Sequence, residues 1–273
     1  MWGIKAYEHL CQYLTPSNYI YIHPLHNQMK GFNELVDRLN VISNQWIHSN
    51  RTHDTGIGKT LEDLLGIQEN NFPGPNGEKV ELKSIRKDSS SMITLFTKSP
   101  KPGESIKNLL DDYGYQSVND PTKKNLHVDL YGNRTTEIKG IPSLKLAVTP
   151  DRIDIVNIHG KIYGGWDYET LKKSFESKMY RVLLVKADTR GSKMNEEFNY
   201  NEAWVLMGFS FERFITLISN GIVKVELRLG IYPKGSRNEE KPHDHGTAFR
   251  VLEGNIQDCF AYRDRIIPKM GKL

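Results

Sequence analysis

Glu81-Leu82-Lys83 is the first place in this chain where residue types and spacing could do chemistry. Val80 and Leu82 alternate with Glu81 and Lys83, so a strand there puts a carboxylate and an ammonium on one face. Metal-dependent phosphodiester hydrolysis uses such a pair. The carboxylate holds Mg²⁺, the metal polarises the phosphate and acidifies a water, and the lysine orients or deprotonates that water. Glu62, in a preceding helical stretch, is placed in sequence to add a second carboxylate. Surface strands also carry Glu and Lys on their wet face routinely, so the spacing alone selects no function.

Two other patterns carry chemistry less well. Gly56-Ile57-Gly58-Lys59-Thr60 resembles the tail of a phosphate-binding loop, but the required earlier glycine position is His53 and the approach, SNRTHDT, is polar and not a strand. The glycines are better read as a tight lead into a helix capped by Asp54 or Thr55. His243-Asp244-His245 has the donor types of a metal site, yet no cysteine accompanies it, and a solvated loop accounts for it equally well.

The elements that must position these residues follow from hydrophobic periodicity. Helices are predicted over Ile4–Leu14, from Phe32 to about Trp46, over Lys59–Leu65, Lys107–Tyr113 and Phe209–Asn220. Asn18–Asn27 reads as a loop or short strand. The turn-rich NNFPGPNGE introduces KVELKS, and Ser91–Thr97 is expected to pair with it as a hairpin. Further strands are predicted over Ser143–Val148, Ile153–Ile158, Tyr180–Ala187 and Val223–Ile231, with RVLLVKA apolar enough to be central. Helices and strands interleave irregularly, which implies an α/β chain with a mixed sheet and helices packed on it. No internal repeat, long linker or clear domain boundary stands out.

Composition sets outer limits. The 273 residues, 38% of them hydrophobic, can bury a sizeable core. No apolar run approaches the roughly 18 residues a membrane helix needs. The start, MWGIKAYEHLCQYL, lacks the pattern of a secretory signal, and the two cysteines, Cys11 and Cys259, lie far apart. A reducing cytoplasm is the expected setting, with no membrane partner. Net charge is 37 − 33 = +4. Between Lys83 and Lys107 six basic residues face two acidic ones, which equals that whole excess in one segment. The stretch Ala261–Leu273 adds Arg263, Arg265, Lys269 and Lys272 against Asp264. Such clusters fit either a phosphate backbone or a solvated basic face.

The surrounding text narrows the choice. TGIGKTLEDLLGIQENN followed by VELKSIRKDSSSMITLFTKSP resembles the MvaI/BcnI restriction endonucleases, of the MutH-like branch of the PD-(D/E)XK nucleases. VELRLGIY and KPHDHGTAFR form a second matching block, and KNLLDDYGY and GGWD lie between them in the family order. The resemblance implies a restriction-endonuclease-like mixed sheet flanked by helices, in two lobes around a DNA-binding cleft. It spans 33–252 as one nuclease unit, with the catalytic lobe including 55–110 and recognition elements including 223–252. Residues 1–32 and 253–273 read as extensions.

The same resemblance implies roles. Glu62, Glu81 and Lys83 match the helix glutamate, the metal-binding strand carboxylate and the catalytic lysine, with Mg²⁺ as cofactor. Asn76 stands where the family has a metal-binding aspartate. Three readings compete: a natural amide compensated by Glu62, Glu81 or Glu78, an Asp→Asn replacement, or an offset in the alignment across GPNGEK. Arg228 and Arg250 match guanine readers, with His243, Asp244 and His245 at other base edges. Arg86, Lys87, Lys98 and Lys101 fit phosphate contacts. The implied activity is a type II endonuclease acting as a monomer on duplex DNA at a CC-x-GG site, with a cognate DNA methyltransferase in the same system. A MutH-like nickase and a catalytically impaired sequence-specific DNA-binding protein are the alternatives.

Overall fold

The computed structural model describes residues 32–67, 71–73, 79–87, 92–117, 121, 123–192, 194–232, 234–235 and 237–267. The predicted helix Ile4–Leu14, the stretch Asn18–Asn27 and Asn76 lie outside these residues.

In chain order the elements are α1 (Phe32–Ile42), β1 (Ile47–His48), α2 (Gly56–Leu65), β2 (Asn71–Pro73), β3 (Lys79–Arg86) and β4 (Met92–Thr97). Then come α3 (Glu104–Tyr113), β5 (Tyr115–Gln116), β6 (Lys124–Leu130), β7 (Thr136–Ile138), β8 (Ile141–Val148), β9 (Arg152–Asn157) and β10 (Ile162–Asp167). The chain continues through α4 (Tyr168–Met179), β11 (Arg181–Ser192), β12 (Asn195–Met207) and α5 (Phe211–Ser219). It closes with β13 (Val223–Ile231), β14 (Pro242–Asp244), β15 (Ala248–Leu252), α6 (Glu253–Ile256) and β16 (Tyr262–Ile267). The mixed α/β class is as expected.

The chain forms two compact units that interleave in sequence. Of the described residues, the first takes those up to 88, 182–205 and from 264 on; the second takes 89–181 and 206–263. No boundary was visible in the sequence because each unit is assembled from segments far apart in the chain.

The first unit is built on one sheet in the order β1-β12-β11-β3-β2, with β16 also beside β12. β11 runs parallel to β3, pairing Val182 with Glu81 and Leu184 with Lys83. Val182, Leu183, Leu184 and Val185 are 0–1% exposed, so RVLLVKA is the central strand its composition suggested. The stretch 253–273, read as an extension, supplies β16 to this sheet. α2 packs on β3 with Leu61 and Leu65 fully buried.

The expected hairpin is not formed. β3 lies between β11 and β2, whereas β4 pairs with β15 in a sheet of the second unit. Neighbours in sequence were assigned to each other because two adjacent amphipathic strands look alike locally. The pairing partners lie about 100 and 150 residues away, where sequence spacing carries no signal.

The second unit holds two sheets, β10-β9-β8-β7 and β4-β15-β13-β6-β5, with β14 added to β13. Its core is aromatic: Phe96 stacks on Phe249 with centroids 4.7 Å apart, and Phe175 and Phe214 meet at 4.8 Å. α4 was not predicted. Its N-cap Asp167 accepts from Thr170 N, and only Leu171, Phe175 and Met179 are buried, too thin a stripe to read from the sequence.

Candidate active site and recognition face

α2 is placed by backbone constraints that the sequence only partly announces. A Cβ at Gly56 would fall 2.5 Å from the Arg51 carbonyl and 2.6 Å from Ser49 Oγ, so only glycine fits where the helix starts. Thr55 occupies the N-cap position but makes no side-chain cap, contrary to expectation. Asn50 N donates instead to the buried Thr60 hydroxyl at 2.9 Å. Tyr200, fully buried on β12, donates its hydroxyl to Ile57 O at 2.8 Å and ties the helix to the sheet. Burial pushes the Tyr200 ionisation up, which keeps it a donor. At the far end Gly66 adopts a left-handed cap, and Ile67 N donates to Glu62 O at 2.9 Å. Glu62 is therefore fixed at its backbone.

On β3, Lys83 Nζ donates to Glu81 Oε1 at 2.7 Å, and Glu81 is only 4% exposed. Burial raises the Glu62 carboxyl above its ordinary value, with Lys59 opposing and the charges of Asp63 and Glu81 adding to the rise. A divalent cation beside Glu62 would offset the cost that burial places on its charge. Among the described residues no group of three His, Cys, Asp or Glu side chains could hold a metal. Mg²⁺ commonly takes one or two carboxylates with waters and substrate phosphates completing its shell, so Glu81 and Glu62 suit it in chemistry.

The four phosphate candidates divide between the two units, Arg86 and Lys87 in the first and Lys98 and Lys101 in the second. Arg86 Nε and Nη2 each lie 2.7 Å from a Glu196 carboxylate oxygen, a two-pronged pair that holds the guanidinium within the first unit. Lys87 pairs with Asp188 at 3.3 Å and with Glu202 at 3.8 Å. Lys98 and Lys101 belong to the second unit, where their backbones bond to Thr247 and Gly165.

Arg228, Arg250 and His243 share one face of the second unit's larger sheet, whereas Asp244 is registered opposite Leu229 on the core side. Register pairs Arg228 with His127, Glu226 with Asp129, and Gly230 with both Asn125 and His243. Lys224 pairs with Arg250, and Arg250 with Thr94. Directly opposed residues project to the same side, so these polar groups form one surface while Val225, Leu227, Leu229 and Val251 fill the core behind it. Arg228 directs Nε and Nη2 to Gly246 O at 3.0 and 2.6 Å. Arg250 donates to Glu226 Oε2 at 2.6 Å and to Met92 O at 2.9 Å.

The loop between these arginines is shaped by Asp244, whose Oδ1 accepts from Gly246 N and Thr247 N at 2.9 and 2.7 Å. His243 Nε2 and His245 Nδ1 are 3.2 Å apart, and Tyr232 stacks on His243 at 3.9 Å. A Cβ at Gly230 would lie 2.8 Å from His245 Nε2, so glycine makes room for the imidazole. Burial lowers both histidines, with the facing His245 adding to it for His243 and His127 for His245. Among the described residues the buried atoms His243 Nδ1, Asp244 Oδ2, Thr247 Oγ1 and Arg250 Nε have no hydrogen-bond partner.

Sequence reasoning missed Glu226, His127 and Tyr232. The first was legible, since alternation along β13 puts Glu226 beside Arg228. The other two needed the strand register.

Comparisons with known proteins place this arrangement in a class. The chain is similar to the solved complex of restriction endonuclease MvaI with its cognate DNA substrate, at 27% identity and a TM-score of 0.70, covering 86% of this chain and 98% of that one. It is also similar to restriction endonuclease MvaI in the absence of DNA, at 26% identity and a TM-score of 0.53, covering 89% and 100%. No curated protein sequence matches it. A fold shared along nearly the whole length, with the Glu-x-Lys strand inside the first unit's sheet, is that of a restriction endonuclease. The profile of the MvaI/BcnI restriction endonuclease family matches residues 36–260, and the chain belongs to that family.

Proposed function

We propose that this protein is a type II restriction endonuclease that hydrolyses both strands of duplex DNA at a CC-x-GG site, with Mg²⁺ as cofactor. The observation that carries the reading is the buried Glu81–Lys83 contact of 2.7 Å on a central-sheet strand. Glu81 and Glu62 would hold the metal, with Asn76, five residues before Glu81 in the sequence, as a neutral oxygen donor. When bound, Mg²⁺ supplies polarisation of the scissile phosphate and a more acidic water. Lys83, already a donor to Glu81, orients the attacking water. In-line attack at phosphorus leaves a 5′-phosphate and a 3′-hydroxyl.

Base reading is assigned to the polar sheet face. Arg228 and Arg250 have planar forks suited to guanine O6 and N7, and Asp244 is the carboxylate assigned to a cytosine amino group. The similar MvaI structure is a DNA complex, which supports duplex DNA as the partner here. A monomer serving each strand in turn, within the PD-(D/E)XK, MutH-like class, and a methyltransferase protecting the host site complete the proposal.

Asn76 favours one rival, a protein that binds its site and cleaves poorly, because an amide lacks the charge that concentrates metal. Incubation with a random-sequence duplex library and Mg²⁺ tests both. Double-strand breaks at CC-x-GG are expected, with Asn76→Asp raising the rate. Nicks alone, or cleavage at an unrelated motif, would overturn the assignment; retention of CC-x-GG duplexes without breaks would leave the binding-only reading.

A further inference from the structure

The face of the first sheet that carries Glu81 and Lys83 also carries a cation cluster that none of the assigned roles explains. Alternation along β3 puts Glu81 and Lys83 on one side, the parallel register Ile85–Lys186 places Lys186 there as well, and Lys87, just past the strand, meets Lys186 at Glu202. Ser84 and Arg86, on the other side, meet the start of α2, where Gly58 approaches Ser84 Oγ and Arg86 reaches Asp54 O. Around Glu202, Lys87, Lys186 and Arg265 converge, each 3.8 Å from a carboxylate oxygen. None of these three contacts is a hydrogen bond. The tight partner of Glu202 is the Trp204 indole, whose Nε1 donates at 2.7 Å. Arg265 lies over the Trp204 ring at 5.7 Å.

Glu202 thus gathers three cations without saturating any of them. Asp188 takes Lys87 at 3.3 Å but spends its other oxygen on Asn201. Lys87, Lys186 and Arg265 against Glu202 and Asp188 sum to 3 − 2 = +1 among the described residues, in side chains that are 18–33% exposed for the cations. A single monoanion with several acceptor oxygens would neutralise it. Lys87 lies four residues beyond Lys83, about 13 Å at strand rise.

We propose that Lys87, Lys186 and Arg265, held together by Glu202, bind one backbone phosphodiester of the duplex a few nucleotides from the Glu81–Lys83 pair. The inference rests on the nuclease reading and adds Lys186, Arg265, Glu202 and Trp204 to it. The site contributes to affinity for any sequence and nothing to preference between sequences.

The test is binding of the full chain to CC-x-GG and scrambled duplexes without divalent metal, titrated against KCl. Replacing Lys186→Gln together with Arg265→Gln should weaken both duplexes equally, by about 3- to 10-fold at low salt. It should lower the slope of log K against log salt by about 0.9, the value of one phosphate. Lys186→Arg, which keeps the charge, should retain the slope, as should Lys173→Gln on α4 in the second unit. An unchanged slope in a double variant that melts like the wild type overturns the site, as does a loss confined to one of the two duplexes. If the double variant melts lower, the slope with Lys186→Gln alone decides in the same way. A wild type that binds neither duplex at low salt overturns the nuclease reading, and this site with it.

Discussion

Arg86→Ala separates two roles that the sequence alone left equivalent. In the sequence Arg86 looks like a phosphate contact next to the Glu-x-Lys strand. In the fold its Nε and Nη2 each meet a Glu196 oxygen at 2.7 Å, with the side chains 19% and 10% exposed. Removing one partner of a buried ion pair costs about 3–5 kcal/mol, because the other charge stays behind without compensation. Partial exposure screens the stranded Glu196, which brings the expected loss to about 2–3 kcal/mol. For chains of this size each kcal/mol moves the midpoint by about 2–4 °C, so the variant should melt about 4–12 °C lower. Glu196→Leu combined with Arg86→Met should recover much of that, since replacing both partners with apolar groups removes the stranded charge. Thermal melts of the two singles and the double form the cycle, and the salt slope of DNA binding serves as the orthogonal readout. Refutation would be an Arg86→Ala protein that melts with the wild type while its salt slope falls by about 0.9. The guanidinium would then serve DNA, and the pair with Glu196 would be incidental.

Three further outcomes follow from the same geometry. Arg250→Ala should cost about 1–3 kcal/mol in discrimination between cognate and scrambled duplexes; competition binding checks it, and an equal loss on both sequences would make Arg250 a structural partner of Glu226. Tyr200→Phe should destabilise by about 1 kcal/mol, the worth of one hydroxyl-to-carbonyl bond, measured by urea unfolding; no change in midpoint would remove the Ile57 tie as an anchor of α2. Burial holds His243 and His245 below the ordinary 6.5, so the unfolded chain binds protons that the fold refuses. Their contribution is fully present above pH 6.5 and is lost as pH falls below it. Melts on both sides of that pH should show the decline shrinking in His243→Gln; an identical decline in that variant would sink the assignment.

Local chemistry was legible where the chain writes it locally. Alternation along KVELKS put Glu81 and Lys83 on one side, and they are in contact at 2.7 Å. The apolar run RVLLVKA was recognisable as a central strand because a strand covered on both faces has no polar phase to show. Alternation in VELRLG carried Glu226 and Arg228 to the same face, although only the arginine drew notice. Helix α4 stayed hidden because three buried side chains in twelve residues leave too weak a period.

The identity of each strand's neighbour was decided only in three dimensions. The sequence suggested a hairpin of β3 with β4, yet β3 took β11 as a parallel partner and β4 went to β15. Strand propensity and alternation specify that a segment will be a strand and which face it buries. They do not specify the partner, because backbone hydrogen bonds are the same for every candidate and the choice rests on packing between distant segments. The same holds for the charges. The sequence determined which residues are cationic and, through its two matching blocks, which chemistry to expect. The tertiary structure alone decided that Arg86 faces Glu196 across 110 residues and that Lys87, Lys186 and Arg265 meet around Glu202. Long-range Coulomb partners leave no periodic trace in a chain, so their assignment waits for the fold.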